Sequence, residues 1–128
     1  MKPKIIWKIV YRKVRRKKGH ELEYAKYKSA ALHLAENRIS HFNKFYQFTI
    51  NKVTIKNQSS RWGSCSKKGN LNFNYKIAKL PPSLADYVIV HELCHLKEFN
   101  HSPAFWNLVA QTIPNHKAIR KQFKKIQL

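Results

Sequence analysis

The chain contains 128 residues with a mass of 15.2 kDa, a length that suits a single domain over 1–128 with one core. A hydrophobic fraction of 43%, with 3 Trp, 6 Tyr and 7 Phe, excludes wholesale disorder despite the abundance of lysine. No run approaches the roughly 18 apolar residues of a membrane span, and the N-terminus lacks the small-residue cleavage site of a signal peptide. We therefore expect a cytoplasmic protein with no membrane partner.

Positive charge dominates the composition, since 26 lysines and arginines stand against 6 acidic residues and give a formal net charge of +20. This balance favours an anionic partner or substrate, including nucleic acid bound through the basic clusters. An ordinary solvated basic surface produces the same balance. Charge alone therefore leaves both interpretations open.

The first half of the chain predicts a strand followed by a long helix. Residues 5–14 mix β-branched and aromatic residues with basic ones, as edge strands do, and the basic cluster 15–19 would turn the chain. Residues 21–46 contain neither proline nor glycine, and their apolar positions recur every three or four residues. That spacing predicts one long amphipathic helix.

The middle of the chain predicts strands. Residues 48–55 are rich in strand-forming residues, although their alternation is imperfect. Residues 61–66 and 71–77 frame a turn over 67–70 that contains a glycine. This arrangement predicts a hairpin.

The last third of the chain predicts helices. Ser83 and Asp86 form a capping-box pattern after a double proline, which predicts a helix that runs to about Glu98. Ser102 and Pro103 predict the N-cap and first residue of a short helix that the next proline ends. A final helix would carry basic residues on one face and apolar residues on the other.

The motif with the clearest chemistry is HExxH, formed by His91, Glu92 and His95. A four-residue step places both imidazoles about one turn apart on one helical face, where they can share a zinc ion. Glu92 follows the first histidine, where a carboxylate can take a proton from metal-bound water without ligating the metal. We therefore predict that His91 and His95 are zinc ligands and that Glu92 is the catalytic general base.

Catalytic zinc generally has three protein ligands and an open position, so a third ligand is required. Glu98 lies on the same helical face as the first two ligands, but three ligands along one straight helix would not surround a tetrahedral ion. Cys94 is also close in sequence, yet a third histidine fits better. His101 follows the expected helix end at 99–100, where an asparagine tolerates the left-handed conformation of a returning turn. We favour His101 as the third ligand.

The spacing of these three histidines equals that of metzincins. The glycine that metzincins use at the turn is replaced here by Glu98, and Met1 is the only methionine, so a Met-turn is excluded. Metzincin membership is therefore rejected.

Five stretches of sequence form a more specific pattern: 60–66 (SRWGSCS), 70–74 (NLNFN), 90–96 (VHELCHL), 100–102 (NHS) and 105–106 (FW). Together they closely resemble the YgjP-like metal-dependent hydrolase family. The resemblance is strongest over about residues 57–112, and we expect the chain to be N-terminally short relative to typical members. It implies an α+β minimal zincin-like domain, in which a small, mostly antiparallel sheet packs on the long helix and the HExxH helix.

The resemblance also implies a zinc metallohydrolase with zinc on the three histidines and two candidate substrate classes. In a metallopeptidase, residues 61–66 would bind extended peptide through backbone hydrogen bonds and Arg61 would stabilise an oxyanion. Members are also credited with pyrophosphatase activity on UTP, in which Arg61 and the lysines of the following turn would hold phosphates. Trp62, Asn72 and Asn74 are further candidates for substrate binding, while a structural role for Arg61 stays open.

A function of another class is also open, namely a basic nucleic-acid-binding module whose zinc is structural. Structural zinc sites normally close with a fourth protein ligand, and none is evident in this sequence. A third interpretation joins the two, because related zincins are DNA-associated proteases. The sequence leaves the substrate and the oligomeric state open.

Overall fold

A computed structural model describes residues 2–126, with side chains described from residue 21 onward. The first element is a single helix, α1, over Lys2–Tyr46. The helix expected over 21–46 is confirmed, but the edge strand expected over 5–14 is wrong. Lysine and arginine are good helix formers, and the apolar residues of 5–14 do not alternate as a half-buried strand requires.

A three-stranded sheet follows, formed by β1 (Lys52–Lys56), β2 (Gly63–Cys65) and β3 (Asn70–Asn74). The predicted hairpin is confirmed, because β2 and β3 pair antiparallel and Gly69 takes a φ of +87° in the turn. The sheet is mixed rather than mostly antiparallel, since β1 and β3 pair in parallel. The strand order is β1-β3-β2, so the chain passes from one edge strand, β1, to the other edge strand, β2. It then forms β3 between them, parallel to β1 and antiparallel to β2.

A 3-10 turn over Tyr75–Lys79 leads to helix α2, which covers Pro82–Cys94 and carries the HExxH motif. The expected capping box is wrong, because the N-cap is Pro81 and no side chain caps the helix. Asp86 instead accepts hydrogen bonds from Arg38 Nε at 2.7 Å and Nη2 at 3.0 Å. This bidentate pair joins α1 to α2, so a tertiary contact uses the carboxylate that the local pattern assigned to a cap.

Two short helices complete the chain, α3 over Pro103–Ala110 and α4 over His116–Phe123. The predicted start of α3 is confirmed, since the Ser102 side chain accepts a hydrogen bond from the Phe105 amide at 3.4 Å. The cap lies directly after His101, and it therefore fixes the backbone on one side of that residue.

The core surrounds α2 on two sides. Val88 and Ile89 pack toward α1 and the sheet, whereas Val90 and Cys94 pack toward α3 and α4. Fully burying a large apolar side chain contributes roughly 1.5–3 kcal/mol, so this helix is held firmly from both directions. The expected α+β architecture is confirmed, with the HExxH motif on its most buried helix. Among the described residues, no helix combines the length and apolar character needed to cross a membrane.

Candidate metal centre and its cleft

Three histidine side chains converge at the end of α2. The Nε2 atoms of His91, His95 and His101 form a triangle in which each side is 3.1 Å long. Nitrogen ligands bound tetrahedrally at roughly 2.0–2.1 Å lie about 3.3 Å from one another. The triangle therefore has nearly the dimensions of a three-histidine zinc site.

Hydrogen bonding alone does not account for this triangle. His95 Nδ1 donates its proton to the Glu98 carbonyl oxygen at 2.9 Å, which leaves Nε2 of the same ring without a proton. His91 and His101 would then both have to donate to His95, and their own contact would bring two N–H groups together. A shared cation satisfies all three nitrogens, so the donor set fits a metal ion.

Burial keeps the first two of these imidazoles in the form that binds a metal. Burial, followed by the neighbouring charges of His95 and His101, lowers the pKa of His91 to about 3. Burial also lowers the pKa of His95, although its bond to the Glu98 carbonyl opposes that shift. Neutral imidazole is the ligand form, so no proton has to be displaced from these rings near neutral pH.

Aromatic residues of α3 hold two of the histidine rings in place. The Phe105 ring is fully buried and stacks on His95, with 4.4 Å between ring centroids. The Trp106 ring stacks on His101, with centroids 5.8 Å apart. His101 is exposed and lies in a loop. The stacking on Trp106 restrains its ring, and the helix cap at Ser102 restrains its backbone.

The chain reaches His101 by a route that differs from the expected one. The regular helix ends at Cys94 rather than near Glu98, and the amides of Lys97 and Glu98 both bond to the Cys94 carbonyl. Asn100 does not take a left-handed conformation, because Gln47 is the only non-glycine residue with positive φ in the described part of the chain. Early termination of the helix redirects the chain instead.

The two alternative third ligands lie outside the histidine group. Glu98 lines a separate groove between the segment that follows α2 and helix α3, beside Lys97 and Asn107. Cys94 is fully buried in the core that α2 shares with α3 and α4. The geometry therefore collects His101, and neither of these residues, with the HExxH histidines.

Glu92 lies beside the triangle in an apolar setting. Its side chain is buried, and burial raises the pKa of the carboxyl to about 8, while the positive charge of Arg61 opposes the shift. Strand β2 packs tightly against it, because a Cβ atom added at Gly63 would lie 2.9 Å from Glu92 Cγ. Glycine is therefore required where this strand crosses the carboxylate.

A cavity of about 490 Å³ opens beside Glu92 and His91. Arg61 and Trp62 line the cavity, as their candidate role in substrate binding requires. Helix α4 forms the opposite wall. The sequence predicted that this helix is amphipathic, but it gave no indication that α4 would face the HExxH helix.

The two candidate asparagines occupy structural positions. Asn74 is fully buried, and its Nδ2 donates to the carbonyl oxygens of Gln58 at 2.7 Å and Arg61 at 3.0 Å. Its Oδ1 accepts a hydrogen bond from the Lys76 amide at 3.0 Å. Asn72 donates to Ser64 Oγ at 3.2 Å across the β2–β3 pair. Neither asparagine lines the cavity. Their hydrogen bonds instead hold β2 and the segment before it in place.

We expect Asn74→Ala to lower the free energy of unfolding by about 2–4 kcal/mol, because it removes three hydrogen bonds worth roughly 0.5–1.5 kcal/mol each. Urea unfolding followed by tryptophan fluorescence measures this loss. Asn72→Ala is the matched control and should cost less than about 1.5 kcal/mol, since one partly buried bond is lost. Equal losses in the two variants would contradict the structural role of Asn74.

Comparison with known proteins connects this geometry to a family. A family model described as YgjP-like, metallopeptidase domain, matches residues 2–126, well beyond the 57–112 region where the resemblance was expected to be strongest. No curated protein matches the chain significantly.

Two solved structures share the fold. The crystal structure of the metallopeptidase zymogen of Pyrococcus abyssi abylysin gives a TM-score of 0.64 at 24% identity, covering 71% of this chain and 92% of that one. The metallopeptidase zymogen of Methanocaldococcus jannaschii jannalysin gives 0.62 at 22% identity, covering 71% and 94%. These likenesses confirm the expected zincin-like fold.

The family model spans nearly the whole chain, and the metal that this family implies is zinc, which the three-histidine group fits. With the HExxH helix, the downstream histidine and the fold in agreement, the chain belongs to the YgjP-like metallopeptidase family.

Proposed function

We propose that this protein is a zinc-dependent peptidase in which His91, His95 and His101 hold the metal and Glu92 is the general base. The observation that carries the proposal is the 3.1 Å triangle of Nε2 atoms, with the buried Glu92 next to its first member. When bound, zinc polarises a carbonyl group and makes water a stronger nucleophile near neutral pH. Among the described residues no fourth protein ligand joins the histidine group, as a catalytic site with an open position requires.

Glu92, Arg61 and strand β2 perform the other steps of peptide hydrolysis: proton transfer, oxyanion stabilisation and substrate binding. Glu92 takes a proton from the attacking water and returns it to the leaving amine, and the burial that raises the pKa of its carboxyl makes the ionised form a stronger proton acceptor. Arg61 lines the cavity together with Glu92, and its positive charge stabilises the developing oxyanion. Strand β2 is an edge of the sheet and packs against α2, so its backbone can pair with an extended peptide at the cleft.

A second candidate activity is hydrolysis of the pyrophosphate bond of UTP on the same metal site. The observation in its favour is the set of positive side chains around the cavity: Arg61, Arg120 and Lys124. Peptide hydrolysis is preferred because the family is one of metallopeptidases. The deciding experiment offers an unfolded polypeptide and UTP to one zinc-loaded sample, with Glu92→Gln as the control for both substrates.

The strong positive charge supports a further candidate partner, nucleic acid, and with it a DNA-associated protease. In that case DNA binding should weaken as salt increases, and DNA should raise the rate of peptide hydrolysis. Salt-sensitive DNA binding that leaves the rate unchanged would argue against coupling. The open ligand position disfavours a binding module with purely structural zinc.

We expect Gly63→Ala to reduce peptide hydrolysis by about 100-fold while zinc content stays unchanged. The added methyl group would meet Glu92 Cγ at 2.9 Å and the Asn72 carbonyl oxygen at 3.0 Å, so the base must move. Steady-state rates, with zinc measured by elemental analysis, test this. Ser64→Ala, on the adjacent residue of β2, is the control and should keep most of the activity. Full activity in Gly63→Ala would show that Glu92 is not held by this contact.

A further inference from the structure

The cavity beside Glu92 combines aromatic walls with a position next to the reacting groups. Trp62, Tyr87 and Phe123 form these walls, and the Phe123 ring centroid lies 5.6 Å from each of the other two. The cavity's volume of about 490 Å³ falls within the range of ligand-binding pockets, roughly 300–1,000 Å³. A large apolar side chain placed there would displace water from apolar surface immediately beside Glu92.

Positive side chains line the same cavity without matching carboxylates. Arg61, Arg120 and Lys124 belong to the lining, and Glu92 is its only acidic member. Among the side chains that the structure describes, none of the three cations forms an ion pair, because the two ion pairs found involve Lys79 and Arg38.

The Arg120 guanidinium lies close to the proposed metal site. Its guanidinium carbon lies 4.1 Å from the centroid of the Trp106 ring, the same ring that stacks on His101. Arg120 also lines the cavity together with Tyr87 and His91. An anionic group that entered the cavity would therefore meet cations that no described carboxylate pairs with.

We propose that this cavity is the specificity pocket of the peptidase. It takes a large apolar or aromatic side chain next to the scissile bond, together with a substrate carboxylate that pairs with Arg120 and Lys124. This inference rests on the proposed peptidase function and adds the substrate class. The carboxylate comes either from an acidic side chain near the scissile bond or from the C-terminus of the peptide.

The test uses the zinc-loaded full chain and a mixed peptide library, with cleavage sites identified by mass spectrometry. The best-cleaved peptide is then resynthesised in matched versions: the large apolar residue replaced by alanine, the acidic residue by its amide, and the free C-terminus by an amide. We expect the alanine version to lower kcat/KM about 10-fold or more. Whichever carboxylate binds, its neutral version should cause a comparable loss, so the two amide versions distinguish the sources.

Matched charge reversals on α4 assign the effect to the pocket. Lys124→Glu should remove the preference for the acidic over the neutral peptide, whereas Lys121→Glu should keep it, because Lys124 lines the cavity and Lys121, which is equally exposed, does not. Both variants change the net charge equally, so a general electrostatic effect would alter them alike and overturn the proposal.

The possible failures are distinguishable. Cleavage of many peptides with no preference for apolar or acidic residues would refute the pocket and leave the peptidase intact. Hydrolysis of no peptide by wild-type protein with one zinc per chain would refute the proposed function itself, and the pocket proposal with it.

Discussion

Replacement of Glu92 by glutamine is expected to reduce hydrolysis by about 10²–10⁴-fold, the usual contribution of a general base. Glutamine has nearly the same shape, but it cannot accept the proton of the attacking water. The burial that raises the pKa of this carboxyl to about 8 also shields the site from solvent bases that could substitute for it. Initial rates under saturating zinc, with the metal content of the same sample, measure the effect.

The control for this variant is Glu98→Gln, which makes the same chemical change six residues further along the chain. Glu98 lies in the groove between the segment after α2 and helix α3, outside the histidine group, so its variant should retain nearly full activity. Activity that survives in Glu92→Gln would show that the assigned base is wrong. Loss of zinc from Glu92→Gln would instead indicate that the carboxylate ligates the metal.

His101→Ala is expected to release zinc that wild-type protein retains through gel filtration. Two of the proposed ligands would remain, His91 on α2 and His95 at its C-cap. The zinc affinity should fall by more than about 100-fold, the upper end of the effect seen when only a supporting residue of a ligand is lost. Zinc per chain by elemental analysis, followed by competition with a chelator of known affinity, gives the size of the loss.

Glu98→Ala and Cys94→Ser are the comparisons for this experiment, because these two residues are the alternative ligands in the sequence. Both should keep one zinc per chain, since neither joins the triangle of Nε2 atoms. Circular dichroism of each variant separates metal loss from unfolding. One tightly bound zinc in a folded His101→Ala protein would contradict the ligand assignment, and loss of zinc only in Glu98→Ala would transfer the role to that carboxylate.

The sequence by itself predicted much of the local structure and identified the residues of the proposed chemistry. The four-residue step from His91 to His95 fixes two imidazoles on one helical face, and Ser102 with Pro103 fixes the start of α3. The absence of proline and glycine over 21–46 predicted the core half of α1, and Gly69 predicted the hairpin turn. These features are local, because each depends on residues within about one helical turn or one tight turn.

The sequence was less informative where several local outcomes had similar energies. The β-branched and aromatic residues of 5–14 favour a strand, but the lysines and arginines favour a helix and the apolar residues do not alternate, and the structure forms a helix. Ser83 and Asp86 match a capping box, yet Asp86 pairs with Arg38, which is 48 residues away in sequence. A bidentate contact to an arginine is stronger than a single capping bond, and its partner cannot be identified from local spacing.

Only the tertiary structure decided the position of His101, the proposed third ligand, and the shape of the cleft. His101 meets the other histidines because α2 ends early and because α3 supports its ring through Trp106. The parallel pairing of β1 with β3 and the packing of α4 against α2 depend on contacts between segments far apart in sequence. Periodicity gives the face of a helix but not the surface that this face meets, and so the pocket formed by α4 became visible only in the folded chain.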